Sequence, residues 1–425
     1  MIDLGEIRAD AEPEPLRRPP RAAGRPLRVA LLAVLLVVSM AGAAAPPQRS
    51  LFTVPAGPTT SAVLHGDLLF VLERGDTPAA RGGQLVAYAV PADGTGPLTP
   101  RWRAPLPAAS AAEGVSVVGD MVLVTGGATP EAPARTAAFD LATGVRRWEL
   151  PGVAFRSGEG LLMVDGGGDR STEFRSVELA TGRVSWSLST PPDASWRWGP
   201  DGIDRIVATP ASGEVQIWDP RSGVRLRAAN IRPGELPTPQ RAQPVGDLLL
   251  VVGENATRVT AYGLDELDRR WEARTGASHF ESCGALICGY GHTEGMWALD
   301  RATGDVRWRA DRWNGRLTER DGRMLVMAPH TGGRETLAIL DTATGRTVAE
   351  LGSWQLASWY PFDGRLIGSR RAGTGRLVVA DLDPAAGEAR ALDVVTGVTG
   401  DCQATPTLLL CRRGDDAYGI WRLPR

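Results

Sequence analysis

Three stretches of the chain are written to one template: Phe139-Asp140-Leu141-Ala142-Thr143-Gly144 with Trp148, Val177-Glu178-Leu179-Ala180-Thr181-Gly182 with Trp186, and Leu299-Asp300-Arg301-Ala302-Thr303-Gly304 with Trp308. In each, an acid precedes glycine by four residues and tryptophan follows it by four. Fainter copies pass through Asp219 and Gly223, through Asp341 and Gly345, and through Asp381 and Gly387, the last two residues longer. Tyr262 to Trp271 keeps the spacing but carries Leu267 where glycine is expected, and a first copy runs from Tyr88 through Gly94 to Trp102 with a longer turn. The period is about 40 residues.

Each part of the template has a physical reading. The Thr-Gly pair closes a hairpin because glycine takes the positive φ the turn needs, and the preceding acid accepts hydrogen bonds from the turn amides. Short apolar runs such as Leu123-Val124, Leu248 to Val252, Leu325 to Met327 and Leu408 to Leu410 supply strands. Tryptophan returns on the outer strand, where a large flat side chain suits packing between neighbouring sheets. One such unit cannot bury both of its faces. Stacking units radially does so and removes the open sheet edge, so the expected fold is all-β, a β-propeller of four-stranded blades.

Counting by apolar runs, read as the inner strands, gives starts at Leu68, Met121, Leu161, Arg205, Leu248, Leu286, Met324, Leu366 and Leu408. That is nine, or eight if one weak unit is an insertion. The last unit has room for only three strands, and Ser50 to Val54 is expected to supply its outer strand and close the ring.

Residues 1–28 are polar and Pro-rich, with Arg17, Arg18, Arg21, Arg25 and Arg28 and no acid after Glu14; an uninterrupted apolar run then extends from Val29 to Ala45. This charge asymmetry predicts a cytoplasmic tail (1–28), a single transmembrane signal anchor (29–45) and an extracytoplasmic propeller (46–425). Ala41-Gly42-Ala43 offers a competing cleavage site before Ala44. The expected location is the cell membrane, single-pass. With 47 Lys+Arg against 49 Asp+Glu, the chain has a formal charge of -2 and no bulk attraction to nucleic acid. Every basic side chain is Arg, which with the Ala, Gly and Pro excess suggests a GC-rich bacterial, actinobacterial-type source.

The Asp-x-x-Thr-Gly-x-x-x-Trp turn resembles the repeat of the pyrroloquinoline-quinone-like (PQQ-like) β-propeller superfamily. That resemblance covers nearly all of the extracytoplasmic part. It implies the propeller fold and leaves function open, because the superfamily holds both quinoprotein dehydrogenases and non-enzymatic binding propellers.

The four cysteines form two close pairs, Cys283 with Cys288 and Cys402 with Cys411, each around the turn into an apolar strand. An even count in an extracytoplasmic protein predicts two disulfides with one structural job. Neither pair has the C-x-x-C spacing of a redox or metal site.

Catalytic signals are few. A quinoprotein would be expected to show an adjacent Cys-Cys pair and amide ligands for calcium; there is no such pair, and Asn occurs only at 230, 255 and 314. Trp196, Trp198, Trp354 and Trp359 fall off the repeat register, so they either line a channel or pack between blades. Gly166-Gly167-Gly168 between Asp165 and Asp169 reads as a hairpin tip, and His65, His279, His292 and His330 are scattered over separate units. Asn255-Ala256-Thr257 is a glycosylation sequon without meaning in a bacterium. The chain contains no G-x-S-x-G, H-E-x-x-H or P-loop.

The expected function is non-enzymatic: binding of a protein or cell-envelope partner on a face of the ring, with no cofactor, no metal and no catalytic residue. The alternatives are a PQQ-dependent oxidoreductase with calcium and a carbohydrate-active hydrolytic propeller. Inner-strand residues at the ring axis discriminate: clustered carboxylates with an amide favour catalysis, and an apolar or Arg-lined axis favours binding.

Overall fold

The structure, a computed structural model, describes residues 51–425 apart from 58, 74–82, 107–111, 129–132, 167–170, 233–240, 254–257, 292–294, 329–334, 358–364, 374 and 425. The expected tail and anchor lie outside the described residues. Among those described, no helix is long and apolar enough to cross a membrane, and every regular element is a strand.

The strands form nine units built on four antiparallel strands, in chain order at 61–105, 112–151, 153–190, 195–230, 241–274, 279–310, 315–354, 355–396 and 398–422, the last sheet extended by Gly96–Pro97, which pairs parallel to residues 52–53. Units 3 and 4 are joined at the backbone by a single bridge, Ser157 to Gly202. The strand Thr347–Leu356 serves two units: its first part pairs with Glu335–Asp341, while Gln355 and Leu356 pair with Ser369 and Gly368 of unit 8. Unit 9 borrows its fourth strand from the other end of the chain. Leu51–Pro55 runs antiparallel to Ala417–Arg422, with Phe52 opposite Ile420 and Val54 opposite Tyr418, which is the closure expected from the sequence.

Nine apolar clusters hold these units together, each shared by two successive units. Cluster by cluster the chain advances by one unit, and the ninth, with Phe52, Leu410 and Ile420 against Leu69, Val71 and Val86, joins unit 9 to unit 1. Nine interfaces among nine units make a closed β-propeller, so no unit is an insertion. Each sheet is covered on both faces by its neighbours, as its apolar second and third strands require.

One expectation needs correcting. The apolar runs that begin at Leu68, Met121 and Leu248 are the second strands of their units. The innermost strands are the more polar first strands, which touch their counterparts in adjacent units: Ser195–Gly199 lies against Arg241–Val245, and that strand against His279–Cys283. The second strand is the more apolar because it is flanked by sheet on both sides and by a neighbouring unit on both faces.

The repeated turn explains how one unit grips the next. Gly144 has φ +72° and lies under the indole of Trp102 in the preceding unit, where a Cβ would come within 2.5 Å of Trp102 Cε3. The Trp102 indole N–H donates to the Leu141 carbonyl at 3.0 Å. The same device recurs for Trp148 with Gly182 and Leu179, Trp186 with Gly223 and Arg221, Trp271 with Gly304 and Arg301, and Trp308 with Gly345 and Thr342. Glycine is needed twice over: for its backbone conformation and for the absence of a side chain beneath the ring. At the seam between units 9 and 1, Phe52 lies beside Gly94 at a looser distance, where a Cβ would be 3.8 Å from its ring.

Candidate functional site

The residues singled out by the repeat are structural. Asp140 Oδ1 accepts from the amides of Ala142 and Thr143 and from the Thr143 hydroxyl, while Arg147 donates to Oδ2 at 2.7 Å. Asp300 is held alike by Ala302, Thr303 and Arg307. The Arg147 hydrogen bond, then those from Thr143, hold the Asp140 carboxyl at about 2, and Arg307 does the same for Asp300, also at about 2. Glu178, one methylene longer, accepts instead from the Thr181 hydroxyl and Arg183. Trp148 and Trp308 are buried, and Trp186 is half-buried. These turns lie away from the axis.

Both predicted disulfides are present, with Cα–Cα distances of 5.7 Å for Cys283–Cys288 and 4.1 Å for Cys402–Cys411. Each joins the first and second strands of its unit, but at different heights. Cys283 ends its strand opposite Leu286, so it reaches Cys288 diagonally, whereas Cys402 sits in a register shift between Gly400 and Gln403. The two bridges therefore share a pair of strands rather than an equivalent position.

The axis is where the described structure gathers chemistry. In units 4, 5 and 6 the innermost strands are five residues each, so their first and third residues project to one side. The third residues are Arg197, Gln243 and Glu281, and all three are engaged. Arg197 forms a bidentate pair with Asp204 (2.8 and 2.9 Å) and reaches the Gly246 carbonyl of unit 5. The Gln243 side-chain amide donates to the Phe280 carbonyl and accepts from the Phe280 N–H at 3.0 Å. Glu281 accepts from Arg316 of unit 7 at 2.7 Å. Gln403 repeats the glutamine staple across the ring closure, donating to the Ala62 carbonyl at 2.9 Å. Burial opposes the charge on Arg316, and the Glu281 anion outweighs it, leaving the guanidinium more strongly protonated than usual. Burial and then the same anion raise the Tyr290 hydroxyl above its ordinary range.

The first residues are Ser195, Arg241 and His279, and they differ sharply from the third. Ser195 Oγ is buried with no hydrogen-bond partner. Arg241 is exposed and makes no ion pair among the described residues, and His279 stacks on Tyr290 with ring centroids 6.3 Å apart. These three line a cleft of about 640 Å³ together with Trp196, Trp198 and Glu281. Trp198 is 59% exposed, and Phe155 of unit 3 supports it edge-on at 5.7 Å. The sequence had offered Trp196 and Trp198 either role: Trp198 is exposed on the cleft, while Trp196, though it also lines the cleft, packs into the cluster between units 3 and 4. Trp354 takes the other, buried, with its indole N–H on the Leu351 carbonyl.

Arg241, His279 and Ser195 were not legible as a group, because they lie in three units and share no motif. Their common signal is position, each opening the first strand of its unit. A second cleft, of about 600 Å³, lies between units 2 and 3 and is lined mainly by Gly, Ala and Val, with Asp165 at its edge. Arg175, which is paired chiefly with Glu173, also approaches that carboxylate, at 3.5 Å. Trp359, His292, His330, Asp169 and the sequon at 255 lie outside the described residues. Among the described residues no group of three His, Cys, Asp or Glu side chains is placed to hold a metal ion.

No protein-family model matches the chain, and no curated protein matches it. Solved structures similar to it include the computationally designed Ika8 protein (14% identity, TM-score 0.46, 74% of this chain and 96% of that one). BamB from Moraxella catarrhalis is similar at 11% identity and TM-score 0.40, over 87% of this chain and 95% of its own. A europium-containing methanol dehydrogenase is similar at 10% identity and TM-score 0.42, over 84% of each chain. The propeller architecture itself rests on the strand order and the closed set of apolar clusters.

Proposed function

We propose that the protein is a non-enzymatic propeller of the PQQ-like class, tethered to a bacterial membrane by residues 29–45, which binds a protein or cell-envelope partner on a face of its extracytoplasmic ring. The observation that carries this reading is the state of the axial polar residues. A catalytic centre there needs carboxylates and amides free to act on a ligand, yet Gln243 and Gln403 are spent on the backbone of the next unit and Glu281 on Arg316. The residues do not fit a quinone held by calcium either. Both cysteine pairs cross-link strands within a sheet, and the Gln243 amide is already engaged at both ends by Phe280. Among the described residues of the axial cleft, the exposed Trp198 indole, the His279 ring and the Arg241 guanidinium, which has no ion pair there, remain accessible, and Trp and Arg are enriched where proteins bind.

The test uses protein extracted from membranes. Quinone and calcium are added, and cofactor absorbance and dye reduction are followed with alcohols and aldoses. The expected result is no stoichiometric uptake and no turnover, with an intact mass that retains residues 29–45. Chelator-sensitive turnover would overturn the scaffold, and a mature N-terminus at Ala44 would overturn the tether.

A further inference from the structure

We infer that the axial cleft of units 4 to 6 is a binding site for an acidic saccharide, a sugar chain bearing carboxylate or phosphate groups. This rests on the scaffold reading and deepens it by naming the chemistry of the partner. Three observations converge. First, Arg241 and His279 open two adjacent innermost strands, are both exposed, and present hydrogen-bonding groups with no partner among the described residues.

Second, among the described residues the cleft has one uncompensated charge. Arg197 is neutralised by Asp204 and Glu281 by Arg316, so Arg241 alone sets the sign, and its guanidinium suits bidentate binding of carboxylate or phosphate. Third, the cleft is also lined by aromatic rings. Trp198 exposes its ring while Phe155 holds it from behind, and Trp196 packs on Phe155 and Phe174. A flat indole beside a row of polar groups matches a pyranose, which has an apolar C–H face and a polar rim. The volume of about 640 Å³ is in the range of small-ligand clefts and accommodates two or three sugar rings. An acidic peptide would satisfy Arg241 but would leave the indole face without a matching surface.

The full-length protein in detergent is titrated with tetragalacturonate, with its methyl ester, with mannose 6-phosphate and with a hexaglutamate peptide, following tryptophan fluorescence and heat. Saturable binding of tetragalacturonate or mannose 6-phosphate is expected, the two distinguishing a carboxylate from a phosphate source. Neutralising the acid as the methyl ester weakens binding roughly ten-fold or more, as does Arg241→Gln. Trp198→Ala is expected to lose a similar amount for the sugars. Both positions are exposed, so the variants should melt with the parent. The inference is overturned if the ester binds as well as the acid, if both variants bind as the parent does, if hexaglutamate binds and the sugars do not, or if no sugar saturates. None of those results bears on the quinone assay, so the scaffold reading stands or falls separately.

Discussion

Leu267 holds its backbone in the left-handed region, at φ +58°, in a turn whose preceding unit presents Arg227 where the neighbouring units present tryptophan. The turn is otherwise the usual one, with the Leu267 N–H on the Gly263 carbonyl as Gly144 is on Asp140. Leu267 is buried in the cluster shared by units 4 and 5, in company with Ile217, Leu249 and Leu264, and Arg227 turns toward Glu266 at 4.0 Å. Leucine thus fills from below the space that an indole fills from above elsewhere, at a backbone cost of about 1–2 kcal/mol.

That exchange is directly testable. Gly144→Ala combines the left-handed penalty with overlap on Trp102, and a loss of about 2–4 kcal/mol is expected in guanidinium unfolding. Removing the ring first, as Trp102→Ala, should reduce the cost of the added methyl to the backbone part. In the reciprocal direction, Arg227→Trp is expected to destabilise and Leu267→Gly to leave a cavity. Combining the two should recover stability relative to either single variant. Simple additivity of the pair would show that ring and turn are not coupled.

Acid stability should report on the turn carboxylates. Asp300 and Asp140 each titrate at about 2, held down first by Arg307 and Arg147. A carboxyl depressed in the folded state contributes stability that is complete above its unfolded value near 4 and is lost as pH falls through 2. Unfolding of the parent and of Asp300→Asn should therefore differ by a constant amount above pH 5, with the gap closing between about 4 and 2. A gap that persists unchanged at pH 2 would show that Asp300 is not stabilised as an anion.

The disulfides close loops of sequence separation 5 and 9. By loop-closure entropy each contributes about 2–3 kcal/mol, so full reduction should lower the melting temperature without abolishing the fold. Non-reducing peptide mapping should find Cys283 with Cys288 and Cys402 with Cys411. A cross-link between the pairs, or four free thiols, would refute the assignment.

The sequence carries the repeat openly because the turn is local: Asp, Thr, Gly and Trp lie within nine residues, and the hydrogen bonds that need them are made inside that span or in the next copy. The axis is hidden for the opposite reason. Its innermost strands are short and follow no hydropathy pattern, since they have the ring opening on one side. Gln243 finds Phe280 37 residues away, and Gln403 finds Ala62 341 residues away. A strand such as Ser195-Trp196-Arg197-Trp198-Gly199 reads as irregular until its neighbours are known, and the more apolar second strands then pass for the inner ones.

The glutamine staples offer the sharpest test of the axis. Gln243 satisfies both the N–H and the carbonyl of Phe280, so Gln243→Leu strands two backbone groups between units 5 and 6 and should cost about 2–4 kcal/mol. Gln243→Glu separates the two bonds. A carboxylate still accepts from the Phe280 N–H but faces the Phe280 carbonyl with no proton to donate, whereas the protonated acid restores both bonds. The folded state should therefore favour the acid form and raise that carboxyl above its unfolded value. Stability of the variant is then greatest below the unfolded value and falls as pH rises through the folded one. The measurement is the unfolding midpoint of Gln243→Glu relative to the parent between pH 4 and 8. A difference that stays flat across that range would mean that the staple contributes nothing as a donor, and that the ring is held at this seam by its apolar cluster alone.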